Sequence, residues 1–176
     1  VFRLPSDPSI DYIKRIVGLP GDTVQVKDGI LIVNGEAATR DFRDIEEVND
    51  GGRVAMHKRY IETLPGSNGL KHYIYEISDS ADLDNTPVYT VPPGHYFAMG
   101  DNRDSSLDSR VQEKVGFIPA ENLIGRAWII FFSTEGTGSS CTYDSAFAPV
   151  LSVACKIIKA PAVLRYGRFF KLVNSL

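Results

Sequence analysis

The strongest constraint on the fold is a pair of β-branched runs joined by an Asp-Gly dipeptide. Residues Thr23–Val26 and Ile30–Val33 flank Asp28-Gly29, and Asn34-Gly35 follows the second run. Asp-Gly and Asn-Gly are the residue pairs that tight β-hairpin turns favour. Because no helical period competes over this stretch, the sequence predicts β-structure in the first half of the chain.

The remaining sequence divides by composition. Residues 36–85 are charged, rich in Asp, Asn and Gly, and only intermittently apolar, which predicts an inserted β subdomain. Apolar strands are expected again from residue 86, and the run Gly125–Phe132 is typical of a central strand. We therefore expect a core formed by residues 1–35 and 86–134, and a separate terminal segment at 135–176.

The terminal segment carries an amphipathic pattern. Apolar residues recur at helical spacing, and basic residues occupy other positions on the same turns: Val163, Tyr166, Phe170 and Val173, with Arg165, Arg168 and Lys171. The pattern predicts a C-terminal amphipathic helix interrupted by Gly167. Such a helix either packs on the body of the protein or rests on an anionic membrane surface.

Composition excludes several classes of protein. The chain has 176 residues, a formal net charge of −3 and two cysteines. An acidic balance argues against a nucleic-acid partner, and two cysteines are too few for a disulfide framework or a four-cysteine zinc site. Cys141 and Cys155 could pair or remain free thiols. No apolar run approaches the roughly 20 residues that cross a bilayer.

Lys14 is the first candidate for chemistry. In a strand, Lys14 would share one face with Tyr12 and Ile16, and these neighbours would desolvate its amine. Burial lowers a lysine pKa, and only the neutral amine can act as a general base. The alternative is an ordinary lysine that extends its ammonium group to water.

The second candidate is the polar segment Gly100–Arg110, which holds three Asp, three Ser, two Arg and one Asn. An EF-hand calcium loop counted from Asp101 fails, because Ser106 stands where Gly is required. Two alternatives remain: a solvated charged loop, or a network of ion pairs and hydroxyl groups that orients a catalytic group. The histidines are scattered and no phosphate-binding motif is present, so we expect neither a metal nor a cofactor.

Four segments resemble one family, the bacterial type I signal peptidases or leader peptidases. Asp11–Asp22 is similar to the family's lysine motif, and Met99–Arg110 is similar to its second long signature. Gly116–Pro119 and Asn122–Ala127 resemble the stretch that follows. The resemblance implies a mainly β fold, with a signal-peptidase-type antiparallel β catalytic core and an inserted variable β subdomain at 36–85.

The same resemblance implies an endopeptidase on the outer, periplasmic face of the bacterial cytoplasmic membrane. Its partners would be the signal peptides of exported preproteins, which it would cut after small residues by a Ser/Lys dyad. Lys14 would be the general base, and Ser106 would orient the Lys14 amine. Three residues would support the site: Asp101, Asp108 and Arg110. Four residues would bind substrate: Val1, Asp11, Tyr12 and Ile13.

The sequence departs from the family at the nucleophile. The family's serine lies in a Met-x-Pro-Ser/Thr motif before the lysine, and neither Met56 nor Met99 lies in such a motif. We therefore expect the nucleophile to be missing from this chain, and the chain alone to be inactive. Two rival interpretations are a degenerate peptide-binding or assembly module of the same fold and a self-cleaving repressor-type Ser/Lys protein.

Overall fold

The computed structural model of the chain describes residues 1–50, 53–127, 129–130 and 171–172. Within these ranges the regular structure is β, apart from a short 3-10 helix at Ala120–Asn122. The strands are β1 (Phe2–Leu4), β2 (Asp7–Tyr12), β3 (Arg15–Gly18), β4 (Thr23–Lys27), β5 (Ile30–Val33), β6 (Glu36–Ala37), β7 (Thr39–Asp50), β8 (Arg53–Thr63), β9 (Lys71–Glu76), β10 (Tyr89–Thr90), β11 (His95–Met99), β12 (Ile118–Pro119), β13 (Ile129–Ile130) and β14 (Lys171–Leu172). The mainly β fold class is confirmed.

The strands form small sheets. The orders are β10-β4-β5-β6, β12-β11-β3 and β7-β8-β9, with two-stranded sheets β1-β2 and β13-β14. The pairs β4–β5, β11–β3 and β8–β9 are antiparallel, as are the two-stranded sheets. Short antiparallel pairs joined by tight turns are the arrangement that the alternating pattern of the first half predicts.

The predicted hairpin is present as β4 and β5. Val24 lies opposite Val33, and Lys27 lies opposite Ile30. The turn residues Asp28 and Gly29 have φ angles of 50° and 73°, the left-handed values that an Asp-Gly turn adopts. Every second side chain is buried, so the strands present one apolar face to the core.

Strand β11 is buried on both faces. Phe97 and Met99 join one apolar cluster, which includes residues of the β4–β5 hairpin. Ala98 points the other way and joins a second cluster with Phe2 and Ile118. Because both faces of β11 are packed, its last residue is fixed, and the polar segment that follows begins from a rigid support.

By its internal contacts the chain divides into two compact units. One contains Val1–Glu46 and Met56–Ala127, and the other contains Glu47–Ala55 and Trp128–Ser175. The first unit contains all of the candidate site residues predicted above. The predicted domain boundaries, at residues 35/36, 85/86 and 134/135, stay predictions.

Of the predicted strand Gly125–Phe132, the structure describes residues 125–127 and 129–130, and the others lie outside the described residues. Strand β13 covers two residues and pairs with β14, whereas residues 125–127 are not in a strand. The amides of Ile124 and Gly125 donate instead to the carbonyl oxygen of Val1, at 3.0 and 3.3 Å. These hydrogen bonds hold the segment against the first residue of the chain.

The predicted C-terminal helix lies outside the described residues, except for Lys171 and Leu172. Those two residues form β14 and pair with β13, so the helix prediction is not met there. Cys141 and Cys155 also lie outside the described residues. Within the described ranges, no helix has the length and apolar character needed to cross a membrane.

Candidate active site

Lys14 lies between two strands and not within one. Strand β2 ends at Tyr12 and β3 begins at Arg15, so the expectation of a lysine on a strand face is wrong. The side chain is nevertheless partly buried, and its Nζ donates a hydrogen bond of 2.8 Å to Ser106 Oγ. The structure therefore brings together the two residues that the sequence placed in separate motifs, 92 positions apart.

The contact between Lys14 and Ser106 depends on Gly100. A Cβ atom added at Gly100 would lie 2.0 Å from Ser106 Oγ and 3.5 Å from Lys14 Nζ. The 2.0 Å contact is sterically forbidden, so a side chain at Gly100 would displace the Ser106 hydroxyl. Sequence reasoning did not single out Gly100, although its place directly after the buried strand β11 was a usable signal.

Burial is the main influence on the Lys14 amine. Desolvation lowers the Lys14 pKa below its ordinary value, since removal from water disfavours the ammonium form. Asp108 and Asp101 act in the opposite direction, while the Arg110 cation adds to the lowering. The net direction is downward, which increases the neutral fraction that a general base requires.

Both carboxylates near Lys14 are paired with arginine. Asp101 accepts two hydrogen bonds from Arg15, at 2.8 and 2.9 Å. Asp108 accepts two from Arg110, both of 2.9 Å, and this pair is fully buried. Each carboxylate thus faces a guanidinium group, and Arg110 opposes part of the attraction of Asp108 for the Lys14 ammonium.

Asp108 also fixes the backbone of the site. Its Oδ2 accepts a 2.9 Å hydrogen bond from the Gly100 amide, and its Oδ1 accepts one of 3.1 Å from the Arg110 amide. These contacts lower the Asp108 pKa, although burial by itself raises it. The resulting carboxylate closes the Gly100–Arg110 segment into a fixed loop, so the network interpretation of this segment agrees with the structure.

Residues of strands β8 and β9 reach this loop. Arg103 is 2% exposed and contacts Glu62, a β8 residue that is 1% exposed. A hydrogen bond of 3.0 Å also joins the Glu62 carboxylate to His72 of β9. Sequence reasoning missed Glu62, because an acidic residue in a polar stretch gives no local sign of burial.

Comparisons with known proteins show the family of the chain. The family model described as signal peptidase, peptidase S26, matches residues 1–132. The chain belongs to the signal peptidase family, peptidase S26. Among its curated relatives is the signal peptidase I of Rickettsia typhi, 42% identical over 143 residues, which are 78% of this chain and 52% of that protein.

Other family members give a similar result. The signal peptidase I of Rickettsia bellii is 35% identical over an alignment of 182 residues, covering 100% of this chain and 59% of the relative. The chain thus spans between half and three fifths of the length of these two relatives. A crystal structure of a signal peptidase I from Enterococcus faecalis matches with a TM-score of 0.35 and 24% identity, over 69% of this chain and 85% of that chain.

The predicted substrate-binding residues of this family member lie near the start of the chain. Asp11 and Tyr12 end strand β2, where they lie opposite Arg3 and Phe2 of β1. The Tyr12 ring centre is 5.5 Å from Lys14 Nζ, and the next residue, Ile13, is 70% exposed. Thus Tyr12 contacts the candidate base and Ile13 is accessible from solvent.

Val1 is held in place by hydrogen bonds from its own backbone groups. Its amino group donates a 2.7 Å hydrogen bond to the carbonyl oxygen of Gly125. Together with the bonds to the Val1 carbonyl, this contact fixes the residue in the first unit. No contact between Val1 and Lys14 or Ser106 is seen among the described residues.

The described part of the chain contains no group of three His, Cys, Asp or Glu residues that could hold a metal. The three histidines have other surroundings. His72 is hydrogen-bonded to Glu62, His95 to the carbonyl oxygen of Pro93, and the His57 ring packs at 6.4 Å from Tyr75. The candidate base in the described site is therefore the lysine.

Proposed function

We propose that this chain carries the general base of a signal peptidase I that removes signal peptides from exported preproteins. The observation that supports it most is the 2.8 Å hydrogen bond between Lys14 Nζ and Ser106 Oγ, in a partly buried position. Family membership and relatives named signal peptidase I support the same reading. The nucleophile is a serine outside these 176 residues.

In the proposed reaction the neutral Lys14 amine takes the proton from the serine hydroxyl as its oxygen attacks the scissile carbonyl. The tetrahedral intermediate then collapses, and the Lys14 ammonium returns the proton to the leaving amine. Water repeats the sequence on the acyl-enzyme and frees the serine. A buried lysine can serve both steps, because burial lowers its pKa toward the working pH.

Ser106 has the role of orienting the amine. Its hydroxyl oxygen accepts one N–H of Lys14, which removes free rotation about the terminal bond of the side chain. The nitrogen lone pair is then directed away from Ser106, toward the position where the hydroxyl of the nucleophilic serine would be deprotonated. This arrangement parallels a catalytic triad, in which a third group orients the base.

Asp101, Asp108 and Arg110 support the site through their charges and their backbone contacts. Asp101 is neutralised by Arg15, which directly follows the base, and Asp108 is neutralised by Arg110. Removing either arginine would leave a carboxylate that stabilises the Lys14 ammonium. The pairs therefore keep the amine neutral as well as holding the loop.

The preprotein is proposed to bind as an extended strand beside β2. Strand β2 pairs with β1 on one edge, and in the described residues no strand covers its other edge. Backbone hydrogen bonds to such an edge would align the cleavage site next to Lys14. Asp11 and Tyr12 lie on this strand, and Val1, Tyr12 and Ile13 are proposed to line the pockets for small side chains.

The proposed location is the periplasmic face of the bacterial cytoplasmic membrane, where exported preproteins emerge. The basic residues of the terminal segment, Arg165, Arg168 and Lys171, are proposed to contact anionic lipids. This part of the proposal rests on the sequence pattern alone.

The proposal is tested with the protein expressed from the complete gene. A preprotein with Ala at the residue before the scissile bond should be cut there, and mass spectrometry of the new N-terminus identifies the bond. The same preprotein with Phe at that position is the matched control and should remain intact. A complete protein that binds the preprotein without cutting it would instead favour the peptide-binding module.

A further inference from the structure

A buried charge cluster outside the proposed catalytic pair connects the inserted region to the site. Its members are Glu62 on β8, His72 on β9 and Arg103 in the Gly100–Arg110 loop. The side chains of Glu62 and Arg103 are each 2% exposed, and that of His72 is 4% exposed. Charged groups are seldom buried to this degree unless they are paired, as Glu62 and Arg103 are here.

Arg103 transmits this contact to the site by two routes. Its Nε donates a 3.2 Å hydrogen bond to the carbonyl oxygen of Gly100, and its Nη2 contacts the carboxylate of Glu62. Its own carbonyl oxygen accepts a 2.6 Å hydrogen bond from Arg110 Nη2. The Arg103 side chain thus joins strand β8 to Gly100, and its main-chain carbonyl joins the loop to the Asp108–Arg110 pair.

Gly100 is held from both sides. Its amide donates to Asp108 and its carbonyl accepts from Arg103, so both backbone polar groups are fixed by buried charged side chains. Gly100 in turn sets the space around Ser106 Oγ, because an added Cβ would lie 2.0 Å from that oxygen. A small shift of Gly100 would therefore change the Lys14–Ser106 contact.

We propose that Glu62, on the inserted strand β8, is a positioning residue for the Lys14–Ser106 pair and acts through Arg103 and Gly100. This inference deepens the proposed function, because it assigns the inserted region a part in orienting the base. Without the Glu62 carboxylate, Arg103 has an unneutralised buried charge. It then moves toward water, and the loop over the Lys14 amine loosens.

Loosening of the loop and loss of the Glu62 charge change the Lys14 pKa in opposite directions. The groups that act on its amine are Asp101, Asp108 and Arg110, while burial is the largest cause of its lowered pKa. Electrostatically, removing a distant negative charge such as Glu62 can only lower the Lys14 pKa further. Entry of water would raise it, so an upward shift is diagnostic of lost positioning.

The test measures the pKa of individual lysines in the full-length protein by competitive acylation at different pH values, with peptide mass spectrometry as readout. In Glu62→Gln we expect the Lys14 pKa to rise by about one unit, with exposed Lys27 unchanged as internal reference. Glu46→Gln is the matched control, because Glu46 is exposed and pairs with Arg59 at 3.2 Å. Its Lys14 should titrate as in the wild type.

Cleavage kinetics supply the second readout. Glu62→Gln should lower kcat on the order of 10- to 100-fold with little change in KM, and the acid limb of the pH profile should move to higher pH. A purely structural role would reduce the folded fraction without moving that limb. If folded Glu62→Gln shows a wild-type Lys14 titration, the proposal is wrong.

The double variant Glu62→Gln/Arg103→Gln covers the case in which Glu62→Gln does not fold. It leaves neither charge of the pair buried, but it still removes the guanidinium donor to Gly100. We expect the same upward shift of the Lys14 pKa in this variant, and an unchanged titration would overturn the inference. If the Lys14 pKa rises in either variant but Lys14→Met cleaves normally, Glu62 positions Lys14 and Lys14 is not the base.

Discussion

Lys14 contacts the Gly100–Arg110 loop and is partly buried, whereas Arg103 belongs to that loop and is 2% exposed. Arg103 has a carboxylate partner, Glu62, whereas Lys14 has a hydroxyl partner, Ser106. Desolvation lowers the pKa of both, but for Arg103 the neighbouring carboxylates more than compensate. A guanidinium group keeps its proton at any ordinary pH, so Arg103 stays charged, whereas the partly buried Lys14 beside a hydroxyl partner can become neutral and act as a base.

The largest effect is expected from Lys14→Met in the full-length protein. Cleavage should fall by about 10³-fold or more, because the base is lost. Stability at pH 7 should not fall, since a lowered pKa means that the unfolded state binds the proton more tightly than the folded state does. Lys27→Met, at an exposed strand end, is the control for cleavage and for thermal unfolding. Normal turnover by Lys14→Met would contradict the assignment.

Arg110→Met tests the pairing of buried charges. Asp108 would be left buried and unpaired, so the free energy of unfolding should fall by about 3–5 kcal/mol. Denaturant titration measures the change. Lys58→Met removes an exposed pair with Asp79 and should cause only a small change. An equal loss in the free energy of unfolding in the two variants would show that burial does not set how much these ion pairs contribute to stability.

Glu76 is a buried acid for which burial outweighs a cationic partner. It is fully buried, Arg40 contacts one of its oxygens, and the other has no hydrogen-bond partner among the described residues. Burial raises its pKa to about 7, from 4.5. The folded state therefore binds the proton more tightly, and this contribution to stability is present below pH 4.5 and lost as the pH rises through 7.

Glu76→Gln should remove that part of the pH dependence. The wild type is expected to lose stability between about pH 4.5 and 7, by at most on the order of 3 kcal/mol, and the variant should not. Unfolding at pH 5 and pH 8 measures the difference. Glu36→Gln, at an exposed position, should keep the wild-type dependence, and a retained dependence in Glu76→Gln would contradict the assignment.

The smallest effect is expected from Ser106→Ala. The base remains but loses its orienting hydrogen bond, so kcat should fall by about 10-fold, well short of the loss in Lys14→Met. Ser105→Ala is the matched control, because Ser105 is the exposed neighbour of the buried Ser106. If Ser106→Ala and Ser105→Ala have equal rates, the orienting role fails.

The local sequence pattern predicted the elements that form between residues close in the chain. The hairpin β4–β5 follows from two β-branched runs around Asp28-Gly29, because turn chemistry and alternation act between neighbours in sequence. The same reasoning failed at Lys14, which lies between strands, and at residues 125–127, which are not in a strand and begin with Gly125 in contact with Val1. It also gave no sign of Glu62, whose partner Arg103 is 41 positions away.

The sequence by itself determined the mainly β fold, the two motifs that carry Lys14 and Ser106, and the family to which they are similar. Only the tertiary structure decided that these side chains meet, that Gly100 leaves room for their contact, and that Glu62 reaches the loop from the inserted region. Residue type sets what a group can do chemically. Its pKa and its partners depend on burial and on groups distant in the chain, which only folding brings together.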